Sequence, residues 1–246
     1  MKIEDELIKY LRGEKFSNGY RIELKKKYKP KSRIKLLTEI CSDKNVVHVG
    51  CLDHLPLIDE KIVKNQWLHK LLTEESNKCL GIDINKDGID FVKQKFSYNN
   101  IIYGDVTETE TLKEISNEYW DYMVLGEVLE HIDNPVDFLS KIKENYHGNI
   151  KQIIITVPNV LTLNSLRLGK KGFETINTDH RYWFTPYTIL KVAYQAGLEP
   201  QKILFANRIK LNFQELVVKK LHKIFLNEQP NYPFIYFNSI ILTADL

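Results

Sequence analysis

The 246-residue chain has little of what would place it outside a reducing compartment or inside a membrane. Its three cysteines, Cys41, Cys51 and Cys79, form neither an even disulfide set nor a paired metal-ligand spacing, so they read as free thiols. No stretch approaches the ~18 apolar residues of a membrane span. The opening MKIEDELIKYLRGEKF breaks its apolar residues with charge every few positions, unlike a secretory signal. Charge of one sign is also missing: 35 Lys and Arg face 32 Asp and Glu, a net +3, with acids interspersed among the bases. No field of that kind draws nucleic acid. The expectation is a cytoplasmic protein with no nucleic-acid partner and no membrane span. Repeats and low-complexity linkers are absent as well. What is present, 43% hydrophobic and 27% charged residues, suffices for a full core, and the length suits one α/β domain with decorations.

Residues 1–45 read as an N-terminal helical cap or arm. Ile3, Leu7, Ile8 and Leu11 fall at helical spacing, and a basic run from Lys25 to Lys31 surrounds Pro30. A helix over 34–41 leads into 45–50 (NVVHVG), a buried strand ending in a turn. Further apolar runs at 79–83, 100–105, 119–125 and 152–157 are mostly separated by helix-like stretches, the pattern of a parallel sheet covered on both faces. Two last runs, 201–206 and 234–243, flank an amphipathic stretch at 211–226 and are expected to pair antiparallel. The fold class is therefore α/β: a Rossmann-like, doubly wound sheet of seven strands, mostly parallel with an antiparallel last strand. It occupies 46–246, with a helical excursion at 208–230.

In such a sheet a ligand lies beyond the carboxyl ends of the strands, so the residues following each run are the ones that count. After the first comes GCLDH at 50–54, a single glycine without the second and third of a dinucleotide fingerprint. Asp83 ends the second strand, where a carboxylate can accept both ribose hydroxyls. It lies 33 residues beyond Gly50, against ~20 in the usual fingerprint, so an insertion centred on Trp67 to His69 is expected. Asp105 ends the third, where it can accept from an exocyclic amine or simply cap a turn. The fourth ends in GEVLEH at 126–131. Asn134 and Pro135 mark the next helix start, and a helical turn before it would align Glu127, Glu130 and His131 on one face.

Together these residues resemble the class I S-adenosylmethionine-dependent methyltransferases over about 34–207 and the final strand. The family's glycine motif aligns with VVHVGCLDH at 46–54, its two acids with Asp83 and Asp105. The run GEVLEHIDNP at 126–135 is similar to the ubiquinone-biosynthesis O-methyltransferase-like branch, as is DHRYWFTP at 179–186 with Leu190, Ala196 and Gly197. His48, Leu52 and His54 depart from the motif, standing where it has an acid and two glycines. The resemblance implies S-adenosyl-L-methionine as cofactor, bound by Gly50, Cys51, His54, Asp83, Ile84, Asp105, Val106 and Gly126. For an alcohol acceptor a base is needed; His131 is the first candidate, His180 the second and His54 the third, with Glu127 beside them. Glu127, Glu130 and His131 suit a divalent ion chemically, but no metal is assigned. His48, inside a buried strand, reads as structural, and Tyr182, Trp183 and Phe184 as core and pocket wall.

Arg167, Lys170, Lys171 and Arg181 fit an anionic or highly polar small-molecule acceptor. The resemblance extends this to a sugar hydroxyl or phosphate-type oxygen of a surface-polysaccharide precursor. Two rivals stay open. A nicotinamide-dependent oxidoreductase is disfavoured by the missing glycines, and a non-catalytic interaction protein of the same fold by the retained Asp83 and Asp105.

Overall fold

A computed structural model describes residues 3–24, 28–53, 55–209 and 232–246. The basic run Lys25 to Lys27, His54 and the amphipathic stretch 211–226 lie outside the described residues. Seven strands form one sheet: β1 Asn45–Val49, β2 Lys78–Asp83, β3 Ile101–Tyr103, β4 Trp120–Gly126, β5 Ile150–Pro158, β6 Glu199–Arg208 and β7 Phe237–Asp245. Their order is β3-β2-β1-β4-β5-β7-β6. The pairs from β3 to β5 are parallel, while β7 runs antiparallel to both β5 and β6. This is the expected doubly wound sheet, with β7 the one reversed strand.

Alternation along the strands divides the core between the two faces. Val47, Met123 and Ile153 pack with Leu139 and Ile142 of α7 (Pro135–Tyr146) and Ile189 and Leu190 of α9 (Pro186–Gln195). Leu7 and Leu11 of α1 (Asp5–Arg12) join the same cluster, and Lys191 Nζ donates to Tyr10 O at 2.9 Å. Val46, Val124 and Ile154 face the other way, against Leu37 and Cys41 of α2 (Arg33–Cys41) and Leu68 and Leu72 of α4 (Leu68–Glu75). Both N-terminal helices thus bury apolar side chains against the sheet layers.

The extra residues after β1 fold as two helices, α3 (Leu55–Val63) and α4. Fully buried Trp67, between them, joins Ile58 and Ile89 in a third cluster, which explains the long interval from Gly50 to Asp83. Local signals set other boundaries. Asn134 Oδ1 accepts from Asp137 N at 3.3 Å with Pro135 opening α7, as the sequence foretells. Thr185 and Thr188 form a capping box at the start of α9. Two further helices, α5 (Lys86–Phe96) and α6 (Lys113–Ser116), follow β2 and β3, and α8 (Leu163–Lys170) follows β5. Among the described residues no helix is long and apolar enough to cross a membrane.

Candidate active site

A cleft of about 850 Å³ opens over the carboxyl ends of β1 to β4. Gly50, Cys51, Asp83, Ile84, Asp105, Val106, Gly126, Glu127, His131 and His180 all line it, so one cavity gathers the described residues that the sequence suggested for cofactor binding and catalysis. His54 lies outside the described residues.

Gly50 sits at φ +65°, and a Cβ there would meet Val128 Cγ2 at 2.6 Å, so the chain turns under the cleft only because this residue is glycine. The loop that follows lacks further glycines and is braced instead. Gly50 N and Cys51 N donate to Ile82 O at 2.9 and 3.3 Å, and Trp67 Nε1 donates to Cys51 O at 2.9 Å. Leu52 N donates to Asp83 Oδ2 at 3.0 Å, while Asn85 N donates to Oδ1 at 3.0 Å. Both oxygens of Asp83 therefore have a fixed direction and keep a second lone pair for a ligand hydroxyl. Asp105 Oδ1 accepts from Thr107 N and Oγ1 at 2.8 and 2.7 Å, which steers its other oxygen. The cap reading and the ligand reading of Asp105 are thus compatible. Cys51 is buried, and burial, then nearby Asp83, holds its thiol well above the ordinary range, so it is no nucleophile.

The β4 end departs from the expected helical face. Only Leu129–His131 is helical, a 3-10 turn, and Glu127 sits at φ +61°, a left-handed conformation costing roughly 1–2 kcal/mol for a non-glycine residue. Glu127 is pinned there: its N–H donates to Thr156 O and Oγ1 at 3.0 and 3.1 Å, and its carboxylate meets Arg33 Nε at 3.3 Å. Ser239 of β7 donates to Glu127 Oε1 at 3.4 Å. The carboxylate so held is turned toward Arg33, and His180 stands beside His131 instead.

His131 and His180 stand edge to face, ring centroids 4.8 Å apart. His131 Nδ1 lies 3.2 Å from Asp179 O. A carbonyl only accepts, so in the neutral ring Nδ1 carries the proton and Nε2 keeps its lone pair, the form a general base needs. His180 is held below its ordinary pKa by burial and then by His131, and its buried Nδ1 has no hydrogen-bond partner. Glu130 is fully buried, with both carboxyl oxygens lacking a partner; burial raises its pKa to about 8, keeping it protonated at neutral pH. Atoms of Glu130, His131 and His180 converge within 4.8 Å. The segment bearing His180 is laced to this turn: Arg181 N donates to Glu130 O at 2.8 Å, Arg181 pairs with Asp133, and Tyr182 donates to Asp133 O at 2.6 Å. Arg181 is therefore a wall residue of the cleft, whereas Arg167, Lys170 and Lys171 belong to α8 and its end, outside the lining. Phe184 is buried, as expected, but Tyr182 is exposed.

Sequence reasoning assigns no role to Arg33 or His69. Arg33 lines the cleft from α2, far away in sequence, and His69 lies beneath it. Only the insertion around Trp67 hints at the second.

Residues 65–145 match the model of a methyltransferase domain family. That span runs from just after α3 to the last turn of α7 and includes Asp83, Asp105, Glu127 and His131. No curated protein matches the chain. Solved structures share the fold, and three of them illustrate it. A protein from Bacillus halodurans C-125 described as a methyltransferase is 13% identical, with a TM-score of 0.51 over 87% of this chain and 98% of that one. Magnesium protoporphyrin IX methyltransferase from Synechocystis PCC 6803, with bound SAH, is 14% identical, with a TM-score of 0.50 over 86% and 81%. A small RNA methyltransferase is 17% identical, with a TM-score of 0.53 over 94% of this chain and 27% of that one. The architecture is the Rossmann-like methyltransferase fold. The domain match, on that fold, supports a methyltransferase.

Proposed function

We propose that the protein is an S-adenosylmethionine-dependent O-methyltransferase acting on a small polar or anionic acceptor. The observation that carries this reading is the single cleft uniting Asp83 and Asp105 at one end with a histidine pair at the other. Asp83 receives the ribose hydroxyls and Asp105 the adenine amine, with Ile84 and Val106 flanking the base and Gly50, Cys51 and Gly126 letting backbone come close. When bound, the cofactor supplies an electrophilic methyl on a sulfonium. The chain must then hold an acceptor oxygen in line with it and remove the proton. His131 Nε2 accepts that proton, His180 orients the ring, and Glu127 fixes the corner through Arg33. The likeness of 126–135 and 179–186 to the ubiquinone-biosynthesis O-methyltransferase-like branch supports oxygen as the atom methylated. A sugar hydroxyl or phosphate-type oxygen of a glycan precursor suits Arg181 at the cleft wall. The test is calorimetric titration with S-adenosylmethionine and with S-adenosylhomocysteine. Micromolar binding of both and none of reduced nicotinamide cofactors is expected, and binding of neither would return the protein to the interaction-module reading.

One observation favours a second reading of the reactive end. The orphaned oxygens of Glu130 and the unpartnered Nδ1 of His180 are what a divalent ion satisfies, and two imidazoles with one carboxylate are an ordinary ligand set. In that case His131 and His180 ligate, and the ion lowers the acceptor's pKa. Activity that survives chelation assigns His131 as base; activity lost and restored by a divalent ion assigns the triad as ligands.

A further inference from the structure

Between β5 and α9 the chain leaves the sheet for one long excursion, 160–183, which carries α8. Its base is fixed. Asn159 and Phe184 form a parallel bridge, Val160 N donates to Phe184 O at 3.0 Å, and buried Asn159 donates through Nδ2 to Phe237 O at 2.9 Å. Burial does little for the rest. Thr162 is the one buried residue in the excursion, and Leu166 and Phe173 are 48% and 65% exposed. The apolar clusters of the core take Phe184 but nothing from 160–183. A segment with so little apolar contact opens at low cost unless polar contacts close it. At the far end of the excursion such contacts converge on one turn. Glu130 O, His131 O and Asp133 O are carbonyls at the end of the Leu129–His131 turn that no backbone N–H of that turn or of α7 reaches. Arg181 takes the first through its own N–H at 2.8 Å and the second through Nη1. Its Nε pairs with the Asp133 carboxylate, and Tyr182 Oη donates to Asp133 O at 2.6 Å.

Asn177, Asp179, His180 and Arg181 are cleft wall, so the latched end of the excursion forms one side of the corner at the tip of β4. We infer that 160–183 is a flap over that corner and that Arg181 is its latch, a positioning residue acting through His180. Closed, the flap sets the His180 ring against His131 with centroids 4.8 Å apart. Open, it withdraws His180 and uncovers the turn that bears Glu130 and His131, which admits an acceptor. The planar guanidinium suits the task, since one rigid fork reaches a carbonyl and a carboxylate at once. With Nε and Nη1 turned to the latch, Nη2 is what Arg181 offers an anionic oxygen, so an acceptor bound there holds the flap shut over itself. The purpose of the closed corner rests on the proposed function; the latch itself does not.

The test is amide hydrogen exchange and histidine ring NMR on the full chain without ligand. In Arg181→Ala the backbone amide at position 181 is expected to exchange about tenfold to a hundredfold faster, the scale of one or two lost hydrogen bonds, while the amides of β4 and β5 keep their protection. The ring signals of His131 and His180, each shifted by the other ring, move together toward those of isolated imidazoles. Arg181→Lys, with one donor group on a flexible stem, recovers part of both effects. Asp133→Asn, at an exposed carboxylate outside the core, gives a smaller change of the same kind. Unchanged exchange at position 181 in Arg181→Ala overturns the inference, as does an equal loss of protection in β4 and β5, which would make Arg181 a support of the whole fold. Neither readout uses a ligand, so a protein that binds neither S-adenosylmethionine nor S-adenosylhomocysteine overturns the proposed function and leaves the latch standing.

Discussion

The two ends of the cleft are built on opposite principles. At the tips of β2 and β3, Asp83 is held through both of its oxygens and Asp105 through one by hydrogen bonds from neighbouring residues, so each carboxylate is aimed before any ligand arrives. At the tip of β4, two oxygens of Glu130 and a nitrogen of His180 are buried with nothing to bond to, and Glu127 is held in a strained conformation. Braced groups bind the same thing in the same place; orphaned groups await a proton, an ion or a substrate atom. The contrast is what the proposed function reads as a recognition end and a chemistry end.

The sharpest way to break it is His131→Ala. Turnover should fall by about 10²–10⁴, the range of a lost general base, with cofactor affinity unchanged in the same preparation. A parallel loss of affinity would move His131 to the recognition end. Asp83→Ala should do the reverse. It removes the acceptor of Leu52 N and Asn85 N and, on the proposed function, of two ribose hydroxyls, weakening S-adenosylhomocysteine by about a hundredfold on the scale of hydrogen bonds to a charged group. Undiminished binding by calorimetry would mean the ribose lies elsewhere.

Glu130→Gln should show its effect in stability. Glu130 has its pKa raised from 4.5 to about 8 in the folded protein, so folding favours its protonated form. That stability is fully present below pH 4.5, declines as pH rises and is gone once pH has passed through about 8, at a rate of about 1.4 kcal/mol for each pH unit in between. The melting temperature of the wild type should therefore fall across that window relative to Glu130→Gln. Adding a divalent ion sharpens the experiment: if the triad binds it, the decline flattens in the wild type alone.

The sheet was legible because each strand is a short apolar run and each crossover has its own start signal, as Asn134 and Pro135 show for α7. The place of Asp83 and Asp105 in the cleft was legible because clefts of doubly wound sheets open at the strand tips. The shape of the β4 end was not. Nothing local says that Glu127 leaves helical geometry, because the cause lies in distant Arg33, Thr156 and Ser239. The partner of buried His48 was no more legible, because His69 becomes its neighbour only from a helix.

The place of β7 carries one more consequence. It is the strand latest in chain order, yet it lies inside the sheet, joining β5 to β6 and lending Ser239 to Glu127. During synthesis the parallel block can assemble early, with β6 waiting on the wrong side of a gap that no other strand fills. The corner at the tip of β4 is therefore completed after the tips of β2 and β3, so on the proposed function a nascent chain forms its cofactor cradle before the support for its chemistry.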